Sequence, residues 1–174
     1  MKRIFILLIL NAAVWSASYD PFLLETQLTL LPKIAMLEKN IVFSQSNAPV
    51  KILIAYDRGD EEAAATCTKI LSTKFNGRLN AHPIALTALS FDKLEGTGAY
   101  HFIYALKGNP SQLKKLHTSG AVTALYDADQ LKENGILLSI QMERTPIILI
   151  NAKALRENRF SFPDSLLEIA RIVP

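Results

Sequence analysis

The chain has one cysteine, Cys67, so no disulfide can close within it. After the first fifteen residues it has no long apolar run, and so no later segment able to span a bilayer. It has little excess of charge of either sign. With Lys2 and Arg3 set aside as part of a leader, 17 basic residues face 16 acidic ones. The pairs Lys114-Lys115 and Arg156/Arg159 are too sparse to form a basic stripe, which excludes nucleic acid as a partner. The three histidines, His82, His101 and His117, fall on separate elements, and none pairs with another at the helical spacing of a zinc site. Gly96-Thr97-Gly98 precedes a strand and lacks the third glycine of a dinucleotide fingerprint. There is no phosphate-binding loop and no serine nucleophile elbow. Adjacent Glu61 and Glu62 point to different faces of a helix, which suits a helix start better than acid/base chemistry. A phosphoacceptor receiver domain is excluded because Ala105-Leu106-Lys107 brings no aspartate to the end of its strand. The residues therefore name no catalytic group, no cofactor and no metal ligand, and the reading is non-enzymatic.

What is present begins with a leader. Met1-Lys2-Arg3 is a basic start, Ile4 to Leu10 an unbroken apolar run, and Ser16-Ala17-Ser18 a set of small residues at a cleavage position. This is the layout of a secretory signal peptide over residues 1–18. The apolar run is shorter than the roughly 20 residues a membrane anchor needs. The expectation is an exported protein with a cleaved leader, placed in the periplasm, whose residues 19–174 form a single domain. The length of 174 residues and the 49% hydrophobic content suffice for one proper core.

The mature part alternates strands and helices. A helical stripe starts near Pro21, with Pro32 expected to kink or split it. Val50 to Tyr56 (VKILIAY) reads as a strand buried on both faces. Asp60 is placed to cap the following helix, which Asn76-Gly77 ends, and Cys67 falls on its apolar stripe as a core residue. A weaker strand over Asn80–Leu86 carries Pro83, which argues for an edge or a strand start. A helical turn over Ser90–Leu94 and a loop, Glu95-Gly96-Thr97-Gly98, come next. Strands over Tyr100–Leu106 and Ala121–Tyr126 flank a helix opening at Pro110. One or two helical turns follow from Asp127 to Glu133, stopped by Asn134-Gly135. The apolar runs Ile136–Ile140 and Ile147–Ile150 are joined too tightly for a parallel crossover and must be antiparallel. The fold class is α/β, a three-layer sandwich with a mostly parallel sheet and a C-terminal antiparallel hairpin.

Ligands of open parallel sheets bind outside the carboxyl ends of the strands. Those ends carry Asp57, Arg58 and Gly59 after the first strand, Lys107, Gly108 and Asn109 after the third, and Asp127 after the fourth. Asp57, Arg58, Gly59, Lys107 and Asn109 are the candidate crevice for a small polar molecule. Turn and cap chemistry alone also accounts for these residue types.

The closing stretch is the most specific pattern. A strand-turn-strand leads into Ile150-Asn151, a short helix with Arg156 follows, and Phe160-Ser161-Phe162-Pro163-Asp164 precedes an apolar LLEIARIV helix. Together with the leader, the early helix and the first strand, this ending resembles the YfiR-like family of bacterial periplasmic signalling proteins. The resemblance implies a non-enzymatic regulator that binds an inner-membrane partner, a diguanylate cyclase or a sensor protein, and so acts on cyclic di-GMP and biofilm. It also admits a homodimer. Two departures stand out. Cys67 alone excludes an internal disulfide switch, and Asn40-Ile41-Val42-Phe43 replaces the family's aromatic-proline run after the first helix. Within the ending, Asn151 is expected to satisfy backbone groups at the strand-to-helix junction. Phe160 and Phe162 are expected to pack beneath the last helix, and Leu166, Leu167, Ile169, Ala170 and Val173 to form its apolar face. Asn151, Phe160, Phe162 and Leu166 thus read as parts of the fold or as a face that docks a partner. The other class of function is a periplasmic small-ligand-binding protein using the strand-end crevice.

Overall fold

The β-branched run VKILIAY forms β1 (Val50–Tyr56) in the interior of an eight-stranded sheet. The structure is a computed structural model that describes residues 19–41, 47–94, 99–117 and 120–174. The expected leader (1–18), the Glu95–Gly98 loop, and Val42 and Phe43 lie outside the described residues. The remaining strands are β2 (Arg78–Leu79), β3 (His82–Ser90), β4 (Phe102–Ala105), β5 (Val122–Leu125), β6 (Leu138–Met142), β7 (Pro146–Asn151) and β8 (Arg171–Val173), in the spatial order β2-β3-β1-β4-β5-β6-β7-β8. From β3 to β6 every pairing is parallel. The β6–β7 hairpin is antiparallel, as its short connection requires.

Alternation along the strands feeds two cores. Ile52, Ile54, Phe102, Tyr104, Ala124 and Leu138 face one side of the sheet, where they meet α1 (Pro21–Ala35), α2 (Glu61–Phe75), α5 (Ala152–Glu157) and α6 (Asp164–Ile169). Leu53, Ala55, Ile103, Ala105 and Leu125 face the other, against α3 (Pro110–His117) and α4 (Leu131–Asn134). The three layers follow from this division. Cys67, fully buried on α2, is one of the first core's small residues, and burial pushes its thiol up to about 12.

Helix α1 runs unbroken, because Pro32 sits in its last turn, where the missing N–H removes only one ladder bond. It packs on α2 and across β6. Its Gln27 is wholly buried. The Gln27 amide nitrogen donates to the carbonyls of Tyr126 (2.9 Å) and Ile140 (2.8 Å), and its oxygen accepts from the Tyr104 hydroxyl at 2.5 Å. Two carbonyls can only accept, so they dictate which end of the amide faces them.

Several expectations are corrected. The apolar ending is a helix only to Ile169; Ala170 is extended, and Arg171–Val173 pairs parallel with β7. Ile172 and Val173 are β-branched and lie beside what would otherwise be the bare edge of β7. Val173 therefore belongs to the second core, and Ile169, at 71% exposure, belongs to no buried helix face. Asp60 does not cap α2 with its side chain; the carboxylate accepts from the Tyr19 hydroxyl instead. The weak strand starts two residues later and runs on to Ser90, and a two-residue strand, β2, pairs antiparallel with its start, placing Pro83 opposite Arg78.

At the opposite end of β1, His101 is bound to Lys51 twice. Its backbone N–H donates to the Lys51 carbonyl (2.9 Å), and its Nδ1 accepts the Lys51 N–H (3.0 Å), which requires a neutral ring. Burial, then the charge of Lys51, then that of His82, hold the imidazole below its ordinary 6.5. With the folded value below the unfolded one, the stabilisation is complete above pH 6.5 and is lost as the pH falls towards the folded value. Urea midpoints measured from pH 8 down to about 5 should fall more steeply for the wild type than for His101→Asn; parallel curves would remove the role given to this ring.

Candidate functional site

The chain leaves β1 and β4 in opposite directions, α2 on one face of the sheet and α3 on the other. Between two such departures the loops part and leave a crevice, the switch point of an open α/β sheet. Here it is a cleft of about 380 Å³ lined by Asp57, Arg58, Gly59 and Asp60 after β1 and by Lys107, Gly108 and Asn109 after β4. The five residues proposed from sequence are all brought together.

Each loop is shaped by its own polar groups. Asp57 Oδ1 accepts from the Arg58 N–H (2.9 Å) and, across the cleft wall, from Gln112 Nε2 on α3 (3.2 Å). Gly59 adopts φ +94°, a conformation costly for any residue with a Cβ. Its N–H donates to Glu61 Oε2 at 3.0 Å, so a carboxylate of the protein already occupies that amide. Asn109 caps α3: Oδ1 accepts from the Gln112 N–H (3.0 Å) and the Ser111 hydroxyl (2.6 Å). Arg58 Nε pairs with Asp92 at 3.0 Å, both exposed, a contact worth well under about 1 kcal/mol. Asp127 stands apart from the cleft lining; it accepts from the Asp129 N–H and caps a short 3₁₀ turn.

Tyr19 is the residue that sequence reasoning missed. Its hydroxyl donates to Asp60 Oδ2 (2.6 Å) and accepts the Lys107 N–H (3.3 Å), so one side chain joins the two loops. The Lys107 ammonium lies 5.2 Å from the centre of the Tyr19 ring, within reach of a cation–π attraction. Tyr126 meets the same ring edge-on at 4.8 Å and accepts the Asp20 N–H. Burial and the hydrogen bond to Asp60 drive the Tyr19 phenol far above its usual range, keeping it a neutral donor at any physiological pH. No local motif marks Tyr19; it acts only once α1 is docked.

The other sequence candidates lie elsewhere and are buried. Asn151 Oδ1 accepts from the Lys153 and Ala154 N–H groups (2.9 and 3.0 Å), and its Nδ2 donates to the Leu131 carbonyl. Asn151, Phe162 and Leu166 are at most 4% exposed and Phe160 is half-buried, so the first three serve packing and offer no docking face. A second cleft of about 240 Å³ at the far end of the strands includes Glu38, Tyr100 and His101. Glu38 there is engaged with the Asn40 and Ser161 N–H groups, tying the loop after α1 to the segment before α6. Among the described residues no three His, Cys, Asp or Glu side chains converge as metal ligands, and no helix is long and apolar enough to cross a membrane.

No protein-family model matches the chain, and no curated protein matches it in sequence. Solved structures do. A conserved domain protein from Vibrio cholerae O1 biovar El Tor superposes with a TM-score of 0.60 at 12% identity, over 87% of this chain and 60% of that one. The ABC domain in complex with L-Trp from Streptococcus pneumonia superposes with a TM-score of 0.58 at 15% identity, again over 87% of this chain and 60% of that one. At these identities the likeness is one of fold, and the chain spans only 60% of either neighbour.

Gly108 is needed for packing. A Cβ there would lie 2.8 Å from the ring of Phe91, itself buried in the second core, and 3.3 Å from Leu113. Gly108→Ala should destabilise the protein by about 1–3 kcal/mol, read as a lowered urea midpoint. An unchanged midpoint would show that Phe91 yields freely.

Proposed function

We propose that the protein is a non-enzymatic, exported regulatory protein that controls a membrane signalling protein, a diguanylate cyclase or a sensor, by direct binding. The observation that carries this reading is the closing segment from Ile136 to Val173, whose order of hairpin, asparagine, short helix and Phe-Ser-Phe-Pro resembles the YfiR-like family. Within that segment Asn151 is wholly buried with its amide bonded at both ends, and Phe162 lies in the core with Leu166 of α6, so these residues hold the fold together. Regulation by contact requires no nucleophile and no general base, only a surface held in a defined shape.

A second reading, binding of a small polar molecule, is favoured by a separate observation. The strand-end cleft gathers the loops after β1 and β4 at the switch point, where ligands of this fold class bind. A solved neighbour of similar fold carries L-Trp. The two readings are compatible, with a ligand as the signal and a membrane protein as its target.

The regulatory reading is tested in the native host. Deleting the gene should change cellular cyclic di-GMP severalfold and shift biofilm formation, with both restored by the full-length gene. A tagged chain should also co-purify with a membrane protein bearing a cyclase or kinase output. Unchanged cyclic di-GMP and biofilm after deletion would contradict it.

A further inference from the structure

The strand-end cleft carries charges of both signs that the fold itself does not use up. Asp60 is only 8% exposed, and of its two oxygens Oδ2 takes the Tyr19 hydroxyl while Oδ1 faces no hydrogen-bond donor among the described residues. Asp57 is in the same position: Oδ1 holds the Arg58 and Gln112 groups, and Oδ2 holds none. Across the cleft, the Lys107 ammonium has an aromatic ring beneath it and no carboxylate within ion-pair distance among the described residues. Arg58, the other cation of the lining, is exposed and shared with Asp92 in a surface pair. An anion cannot take the Gly59 N–H at the start of α2 without displacing Glu61, so Lys107, which has no carboxylate partner among the described residues, is the cation most available to receive negative charge.

We propose, building on the small-ligand reading of this cleft, that it takes a zwitterion of the α-amino-acid class, the ligand's ammonium meeting Asp57 and Asp60 and its carboxylate meeting Lys107. The unpaired oxygens of Asp57 and Asp60 are accessible at the cleft wall, where a ligand's ammonium can donate to them. A plain anion would satisfy Lys107 and be repelled by two carboxylates. A plain amine would satisfy the carboxylates and leave Lys107 opposed by a second cation. Only a molecule that carries both charges answers both sets. A volume of about 380 Å³ leaves room for a side chain beyond the two charged groups. Tyr19 is a positioning residue: it occupies Asp60 Oδ2 and leaves Oδ1 unpaired, and its ring lies beneath the Lys107 ammonium.

Isothermal titration of the full chain with the common L-α-amino acids tests this. For each one that binds, its decarboxylated amine and its deaminated acid are titrated as well; for phenylalanine these are phenethylamine and 3-phenylpropionate. The expected result is that at least one amino acid binds, and that its amine and its acid each bind about tenfold or more weakly. Lys107→Met and Asp57→Asn, checked for native circular dichroism, should weaken the amino acid by a similar factor. Lys107→Met should tighten the weak binding of the amine, because it removes the cation that the amine faces; weaker amine binding by this variant would contradict the assignment. An amine or acid that binds as tightly as its parent amino acid overturns the zwitterion while leaving a ligand cleft in place. Full-strength binding to both variants overturns it by putting the ligand elsewhere. No binding by any amino acid, amine or acid removes the proposal together with the small-ligand reading on which it rests.

Discussion

A single buried amide holds the first helix to the sheet. Gln27 has no contact with solvent, yet all its hydrogen-bonding capacity towards the sheet is used: two donors to the carbonyls of Tyr126 and Ile140, and one acceptor for the Tyr104 hydroxyl. Each such bond contributes only about 1 kcal/mol net, but leaving any of these buried partners unpaired costs about 1–3 kcal/mol. The apolar stripe of Leu24, Leu28 and Leu31 shares its core with Tyr104 and Leu138, and the three bonds of the amide add direction to that non-directional packing. Because Gln27 sets where α1 lies, it also sets where Tyr19 lies, and Tyr19 is what ties the loop after β1 to the loop after β4.

The cleft therefore depends on long-range contacts more than on its own sequence. Its walls are turn residues in ordinary turn roles: Asn109 capping a helix, Gly59 at positive φ, Asp57 folding back on the next N–H. What raises it above a pair of turns is the set of groups those roles leave over, namely Asp57 Oδ2, Asp60 Oδ1 and the Lys107 ammonium. Tyr19 controls two of the three. Its phenol, pushed up by burial and by Asp60, stays protonated and so remains a donor to that carboxylate.

Much of the architecture is legible in the residues themselves. VKILIAY is β-branched and uninterrupted, and it is a strand with the same limits. Pro110 after Asn109 marks a helix start, and the short joint of the closing hairpin, three residues between Met142 and Pro146, forces it antiparallel. The strand-end residues were legible too, because the rule placing ligands at strand ends needs only the order of elements. The exceptions share a cause. LLEIARIV has a helical stripe, but its last three residues pair with β7 because that strand needs a neighbour, and no local pattern records that need. Asp60 stands where a cap belongs, yet its carboxylate follows a tyrosine forty-one residues away. The roles of Tyr19 and Gln27 exist only after α1 has docked, since their partners lie up to 113 residues off in sequence.

The central claim is that α1, through Tyr19, holds the two cleft loops as one unit. Hydrogen exchange of individual amides in the full chain, wild type against Tyr19→Phe, tests it most directly. Loss of one hydroxyl removes the acceptor of the Lys107 N–H and the donor to Asp60 together. Exchange at Lys107 and around Asp57–Asp60 should therefore quicken jointly, by about tenfold or more, while the amides of β1 and β4 keep their protection. Unchanged exchange in both loops, or a change in one without the other, would contradict it.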